Sequence, residues 1–531
     1  MDSVARGTRS ATGAAAPASR APRASARRLP LGAEAGGLVA LLVLATLARR
    51  PHYLLTHSFW LDESWVADAV RAPLGQLRLL TSSTPVGWTL LLRAVPPVGG
   101  PERYRLLPLA FGVATVPLAW LAARGLGRFG PVRAALAALT AALVPASLAR
   151  HDLKQYSAEG FVAVGVLLLV AWVEAGWSRR RLALLALLGG VAVLIANIAP
   201  FVVLGGLLAL VLTAAARSEW RHAAEAAVAA VGVGGLHLLV YVTVAGAGDN
   251  PAMQRWWSED YVRLGAGLGP AARFVGERVA AMLATVGLGP WWLVLALAAA
   301  GIWSLARAGR SAAALLLPLL ALELVAAGAA QRYPFLEART SLFVAVLVAV
   351  YAALGLGELV AVLLARGWTA PLALAVVVGV VALLLPAGAR AARTPMLSAR
   401  VREQLAVVAA GWRPGDAVVV NNAGTFAFAY YWPDRPTFVR TRLPTAVNFM
   451  VTYPDHPDLV MVNDGALPAV VPAMARAHAA GRRIWVVYAH GSPRSMHTWS
   501  AEAARYGRVT HPGPRTFPLL VQPPPAGTAA R

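Results

Sequence analysis

The chain of 531 residues is 58% hydrophobic and only 14% charged, with a mean hydropathy of +0.59. A soluble protein carries about 25% charged residues. Here runs of roughly 20 apolar residues recur from Leu38 to about Pro386, each long enough to cross a ~30 Å hydrocarbon layer. This pattern excludes a soluble enzyme, a disordered tail protein and a DNA-binding domain. The absence of cysteine excludes disulfides, thiolate metal sites and cysteine nucleophiles.

The formal net charge of +23 comes from 47 Arg and a single Lys against 25 acidic residues. These cations form no single basic face, so no nucleic-acid partner is expected. The first 33 residues hold Arg6, Arg9, Arg20, Arg23, Arg27 and Arg28 among Ala, Ser and Pro. With few large apolar residues, they read as a disordered cytoplasmic tail. A cleaved signal peptide is set aside, because a series of spans follows. Eleven spans are drawn, at about 35–50, 105–123, 131–149, 157–176, 182–197, 199–215, 223–246, 280–306, 311–329, 340–361 and 368–388. The Asn197–Pro200 break separates the fifth from the sixth. With the N-terminus inside, loops bearing Arg124, Arg128 and Arg133, then 179–181, Arg217 and Arg221, Arg307 and Arg310, and Arg366 face the cytoplasm. The alternate loops carry most of the acids, the expected asymmetry. Everything after about 389 then lies outside the cytoplasm.

The first exterior segment, 51–104, does not cross. It contains Trp60-Leu61-Asp62-Glu63-Ser64-Trp65 at headgroup depth. A carboxylate partly desolvated by aromatic rings there becomes a better general base. Adjacent side chains point in different directions, so one of the two acids is expected to do chemistry while the other orients or binds. The stretch Thr84-Pro85-Val86-Gly87-Trp88 to Arg93 is apolar, too short to span and broken by Pro96-Pro97; it reads as a helix along the interface.

Next comes Arg150-His151-Asp152-Leu153-Lys154-Gln155-Tyr156-Ser157-Ala158-Glu159. Lys154 is the only lysine, and a compact ammonium meets a phosphate differently from a planar guanidinium. Glu159 lies one turn into a span, where an ionisable group is functional by default. The loop 247–275 holds Arg255-Trp256-Trp257-Ser258-Glu259-Asp260-Tyr261, the composition of a binding loop over a sugar or headgroup. In Gln331-Arg332-Tyr333-Pro334-Phe335-Leu336-Glu337-Ala338-Arg339, two arginines run against the positive-inside bias and suit an anion at the membrane surface. His52 and His57 lack a third partner in sequence, so no metal ligand is assigned.

Residues 389–531 differ in kind. Apolar runs at Ala417–Val420, Asp458–Val462 and Ile484–Tyr488, with a helical pattern at 467–481, predict a small α/β domain with a mostly parallel sheet. It has no glycine-rich phosphate loop and is assigned no chemistry.

The combination resembles the GT-C superfamily of polytopic glycosyltransferases, which includes protein O-mannosyltransferases and lipid A aminoarabinose transferases. The carriers are Trp60-Leu61-Asp62-Glu63, Thr84-Pro85-Val86-Gly87-Trp88 followed by Arg105-Leu106, Lys154-Gln155-Tyr156-Ser157-Ala158-Glu159, and Arg332-Tyr333-Pro334-Phe335 with Arg339; they cover about 35–360. Phe161 stands where many relatives place an arginine, and Thr84-Pro85 replaces the His/Pro-Pro pairs common before the interfacial helix. The resemblance implies inverting transfer of a sugar from a polyprenyl-phosphate donor to a glycan, lipid or protein acceptor outside the cytoplasm. Asp62 and Glu63 become the catalytic carboxylates, with Asp62 as the base. Lys154, Arg332 and Arg339 would hold the donor phosphate, and Trp60, Tyr156, Glu159 and Tyr333 the substrate. No cofactor is assigned, and a divalent cation stays open. The alternative is a transporter or flippase for a lipid-linked saccharide, but no internal repeat supports it and the notable charges cluster at span ends.

Overall fold

The computed structural model describes residues 31–81, 84–126, 130–149, 152–248, 251–365, 370–440, 449–455, 459–461 and 467–523. The expected tail falls outside them as far as residue 30, as do Arg128, Arg150, His151 and Arg366. Leu31 already opens the first helix, Leu31–Ala48.

Among the described residues, nine helices are long and apolar enough to cross a membrane: Glu34–Thr56, Pro101–Gly125, Pro131–Leu148, Tyr156–Ala175, Ala199–Ala216, Trp220–Thr243, Ser311–Ala329, Leu342–Leu363 and Leu374–Arg393. Arg179–Ile195 and Trp291–Arg307, of 17 residues each, fill the fifth and eighth expected positions. At 1.5 Å per residue each is about 26 Å long. The chain is a multi-pass membrane protein. Two expectations need adjusting. The run 280–306 is two helices, Leu268–Ala284 and Trp291–Arg307, because Gly287 and Gly289 take φ of 77° and 114° before Pro290. Glycine adopts that backbone freely, and a helix ends there. The last span runs on to Arg393 instead of stopping near 388. Residues 179–216 do divide in two, with the break at 196–198.

The bundle core is built from small residues that let helices approach closely. Trp291–Arg307 meets Leu342–Ala365 backbone to backbone: a Cβ on Gly301 would lie 2.1 Å from the Tyr351 carbonyl oxygen, and one on Gly355 would lie 1.9 Å from that of Leu297.

The 51–104 segment folds into short helices, Pro51–Thr56, Leu61–Arg71, Leu77–Leu80 and Val86–Arg93. The last is a short helix where one was expected. Its Trp88 is fully buried and donates to the Leu153 carbonyl at 3.0 Å, and Arg93 reaches the Ala69 carbonyl at 2.9 Å.

The C-terminal region carries β1 (Ala417–Val420), β2 (Thr437–Arg440), β3 (Phe449–Thr452), β4 (Leu459–Met461), β5 (Ile484–Val487), β6 (Arg508–Thr510) and β7 (Leu519–Gln522). The main sheet has the order β4-β1-β5-β7-β6, parallel across β4, β1 and β5 and antiparallel across β5, β7 and β6; β2 and β3 form a separate antiparallel pair. Every residue of β1 and β5 is buried, as a sheet covered on both faces requires. Val419, Ile484 and Val486 pack with Val470, Met474 and Trp499. On the opposite face, Val418, Val420, Trp485 and Val487 share a core with Trp65, Ala69, Ala72 and Leu80 of the first loop. The Val401–Gly411 helix packs on this face, and the Leu61–Arg71 helix of the first loop packs on the neighbouring Thr425–Tyr431 helix.

Gly355→Ala forces a methyl into the backbone of the neighbouring helix and is expected to cost at least ~1–3 kcal/mol. Gly379→Ala, with nothing within 4 Å of the new methyl, is expected to leave stability unchanged. Thermal unfolding of both variants in one detergent checks the contrast.

Candidate active site

The Leu61–Arg71 helix starts from Trp60 in extended backbone, φ −94° and ψ 178°, with the Glu63 side chain accepting the Trp60 N–H at 3.2 Å. This one bond back from the third helical residue ties down the first turn. Asp62 and Glu63 sit in that turn, where the helix dipole favours carboxylates, and they diverge.

Glu63 turns inward. Arg105, at the foot of the Pro101–Gly125 span, grips it with two donors: Nε lies 2.6 Å from Oε1, and Nη2 meets Oε2, with both side chains fully buried. The remaining terminal nitrogen of Arg105 donates to the carbonyls of Leu54 at 2.7 Å and His57 at 2.6 Å. Burial pushes the Glu63 carboxyl up in pKa, and Arg105 with the Trp60 and Leu153 N–H groups opposes the shift. Grouped with Asp62 as catalytic from the sequence, Glu63 has no access to a substrate; it holds the helix in place.

Asp62 turns outward. Its Oδ2 lies 3.1 Å from Lys154 Nζ and 3.6 Å from a terminal nitrogen of Arg339. Lys154 projects from the turn before Tyr156–Ala175, its ammonium 5.9 Å from the Trp65 ring centre. Arg339 is braced by Glu337, whose carboxylate also accepts the Arg339 and Thr340 N–H groups at 3.0 Å. The Trp257 ring centre is 5.5 Å from the Arg339 guanidinium carbon. The two loops meet through the Phe335 N–H, which donates to the Asp260 carbonyl at 2.8 Å. Asp62, Lys154 and Arg339 thus come from three separate sequence clusters.

The other expected residues divide. Tyr156 is buried within electrostatic range of Asp62, Asp152 and Arg339. Tyr333 turns inward, its hydroxyl donating to the Thr340 carbonyl at 2.5 Å and its ring edge-on to Phe201, so it shapes the Arg339 loop. Burial raises its pKa well above the usual phenol value. Arg332 is exposed at the start of that loop. Glu159 is buried and accepts the Asn197 N–H at 3.1 Å, so it caps the helix break instead of lining the Asp62 group. Trp60 is half-buried, its ring centre 6.1 Å from that of His490.

His490 is the residue that sequence reasoning misses, since the C-terminal region is assigned no chemistry there. It follows β5, and in α/β sheets ligands gather beyond the carboxyl ends of strands. His490 beside Gly491, just after the Ile484–Tyr488 run, is the readable signal. Among the described residues, no three His, Asp or Glu side chains gather as a metal site.

No family model matches the chain, and no curated protein does. Its fold is shared by solved structures of ArnT and of an oligosaccharyltransferase. It is similar over 93% of its length to ArnT from Cupriavidus metallidurans bound to undecaprenyl phosphate, covering 98% of that chain at a TM-score of 0.55 and 14% identity. The apo state of that protein gives 92%, 98%, 0.55 and 14%. For the Archaeoglobus fulgidus oligosaccharyltransferase, solved as a complex with Zn and sulfate, 74% of this chain matches at a TM-score of 0.50 and 15% identity. The chain spans 61% of that protein's length.

Two stability outcomes follow from the geometry. Arg105→Met strands a buried carboxylate and is expected to cost ~3–5 kcal/mol, whereas Arg105→Met with Glu63→Met recovers most of that loss; a thermal-unfolding double-mutant cycle measures it. Asp68, in the same helix, is buried with Oδ2 unpartnered. Burial holds its pKa well above the usual carboxylate range, with Arg71 opposing. The folded chain therefore holds this proton more tightly than the unfolded chain. The penalty grows as pH rises from the ordinary carboxylate range to the folded pKa, by ~1.4 kcal/mol for each pH unit between the two. Asp68→Asn is expected to raise the unfolding midpoint at pH 8 and to change it little at pH 4.

Proposed function

We propose that the chain is an inverting membrane glycosyltransferase, moving a sugar from a polyprenyl-phosphate donor to a hydroxyl of a glycan, lipid or protein acceptor outside the cytoplasm. The observation that carries this reading is the Asp62 carboxylate, presented on a helix's first turn with Lys154 and Arg339 upon it, in a chain of GT-C fold. The acceptor hydroxyl gives its proton to Asp62 as its oxygen attacks the anomeric carbon. The bond from that carbon to the phosphate oxygen breaks, and its electron pair leaves with the polyprenyl phosphate. Lys154 and Arg339 stabilise the growing phosphate charge, the role of preplaced cations in such transfers. Before the donor binds, Asp62 is their counter-ion. The donor phosphate competes for both cations and frees the carboxylate, strengthening it as a base at the moment it is needed.

Release of polyprenyl phosphate by purified protein, with a panel of polyprenyl-phosphate sugars and a membrane extract as acceptor, tests this. Asp62→Asn is expected to lower turnover ~10²–10⁴-fold while donor binding is kept or tightened. Lys154→Met and Arg339→Met are expected to weaken donor binding about 10–100-fold. Donor binding without turnover in the native chain, unchanged by Asp62→Asn, would argue for transport of a lipid-linked saccharide. No donor binding at all would sink both.

A further inference from the structure

The first N–H groups of a helix have no partner within it. In the Leu61–Arg71 helix, the Leu61 N–H donates to Nε2 of His490 at 3.3 Å, across 429 residues of sequence. His490 belongs to the turn between β5 and the Pro493–Ala504 helix, a turn held on both sides. Asn421 accepts the Ala489 N–H at 2.9 Å and donates to the Ala489 carbonyl at 2.7 Å; Ser492 caps the following helix at 3.2 Å. Within this frame His490 has a φ of 54°, a left-handed backbone that is costly for a residue with a side chain. Gly491 next to it has no such φ. The strain thus falls on the residue whose ring reaches Leu61 and Trp60.

We propose that His490 is a positioning residue of the Asp62 site: by accepting the Leu61 N–H, the C-terminal region sets the helix turn that aims Asp62 at Lys154 and Arg339. This rests on the reading of Asp62 as the base. The hydrogen bond requires a neutral ring with its proton on Nδ1. Crowding by protein lowers the ring pKa below the ordinary histidine value, and Asp62, the charged group acting on it from the facing helix, opposes the shift. At neutral pH the acceptor is in place. As pH falls through the ring's pKa, Nε2 becomes a donor facing a donor, and the bond is lost.

Three variants of the full chain in lipid nanodiscs test this. His490→Phe keeps the ring against Trp60 without an acceptor. His490→Asn tolerates the left-handed backbone but is too short to reach. His490→Gln places an amide oxygen near the lost Nε2. Hydrogen exchange of amides 61–64 is expected to speed up about 10-fold in the Phe and Asn variants and to stay near native in the Gln variant. With the transfer assay, Phe and Asn are expected to lower kcat ~10–10²-fold with donor KM nearly unchanged. Gln is expected to recover most of the loss and to move the acid limb of the pH–kcat profile, to which the protonation of His490 no longer contributes. Native exchange in both Phe and Asn variants overturns the proposal, whether or not the chain proves to be a transferase. So does native kcat in those variants while Asp62→Asn is inactive. A chain that transfers nothing counts against the enzymatic reading, and the exchange measurement still decides whether His490 holds the helix turn.

Discussion

The geometry of the loop end depends on one buried ion pair, Arg105 with Glu63. Burying two charges costs several kcal/mol per ion unless every donor and lone pair finds a partner, and here the partners come from four places in the chain. Arg105 spends its donors on Glu63 and on the carbonyls of Leu54 and His57. Glu63 also accepts from Trp60 and Leu153, and the Phe59 ring lies against the guanidinium. The end of the first span, the start of the second and the turn before Tyr156–Ala175 are thereby tied to one helix terminus. Successive helix residues are ~100° apart, so fixing Glu63 inward also fixes Asp62 outward. The direction of the outward-facing acid is a consequence of the buried one.

The same logic extends to the C-terminal region. The Tyr431 hydroxyl donates to Glu102 and accepts the Phe59 N–H, both at 2.8 Å; Arg402 also pairs with Glu102, and Ser58 donates to Glu403. Trp65 stacks on Phe426. Trp65 and Ala69 of the first loop share one apolar core with Val418, Val420 and Trp485 of the sheet. A boundary near 389 therefore marks a change of composition, from lipid-facing to water-facing sequence, and it is not a boundary in packing. That is why a region without a phosphate loop still bears on the Asp62 site.

What was legible in the sequence follows the range of the forces involved. Spans were readable because bilayer thickness imposes length and apolarity on each segment alone, and strands β1, β4 and β5 because each is an apolar run. The run 280–306 misled because Gly287 and Gly289 are as apolar as the residues beside them, and only their backbone conformation ends the helix. The three side chains at the centre of the site were each visible: Asp62 as an acid among tryptophans at the membrane surface, Lys154 as the sole lysine, and Arg339 as a cation against the positive-inside bias. Their neighbours were not. Glu159 was noticed by the same rule, yet its partner is a backbone amide at a helix break, which no residue type announces. Glu63 and Asp62 are equivalent in composition and differ only in what lies 42 residues away, at Arg105. His490 and Leu61 meet only after the sheet has formed on the loop.

The two cations on Asp62 are not equivalent either, and the difference bears on the proposed order of events. Arg339 is braced: its guanidinium pairs with both Glu337 and Asp62 and lies over Trp257, so loss of one contact leaves the others. Among the described residues Lys154 has a single ion pair, with Asp62, and stands near the Trp65 face. The backbone beneath it is locked, because Leu153 offers its N–H to Glu63 and its carbonyl to Trp88. A compact ammonium on a flexible stem above a fixed backbone can exchange a carboxylate oxygen for a phosphate oxygen by rotating its own bonds. A guanidinium there would have to re-seat a planar fork in a confined space. In a chain that uses arginine 47 times, the one lysine stands at the more loosely held of the two cation positions on Asp62, and the neighbouring arginine at the braced one.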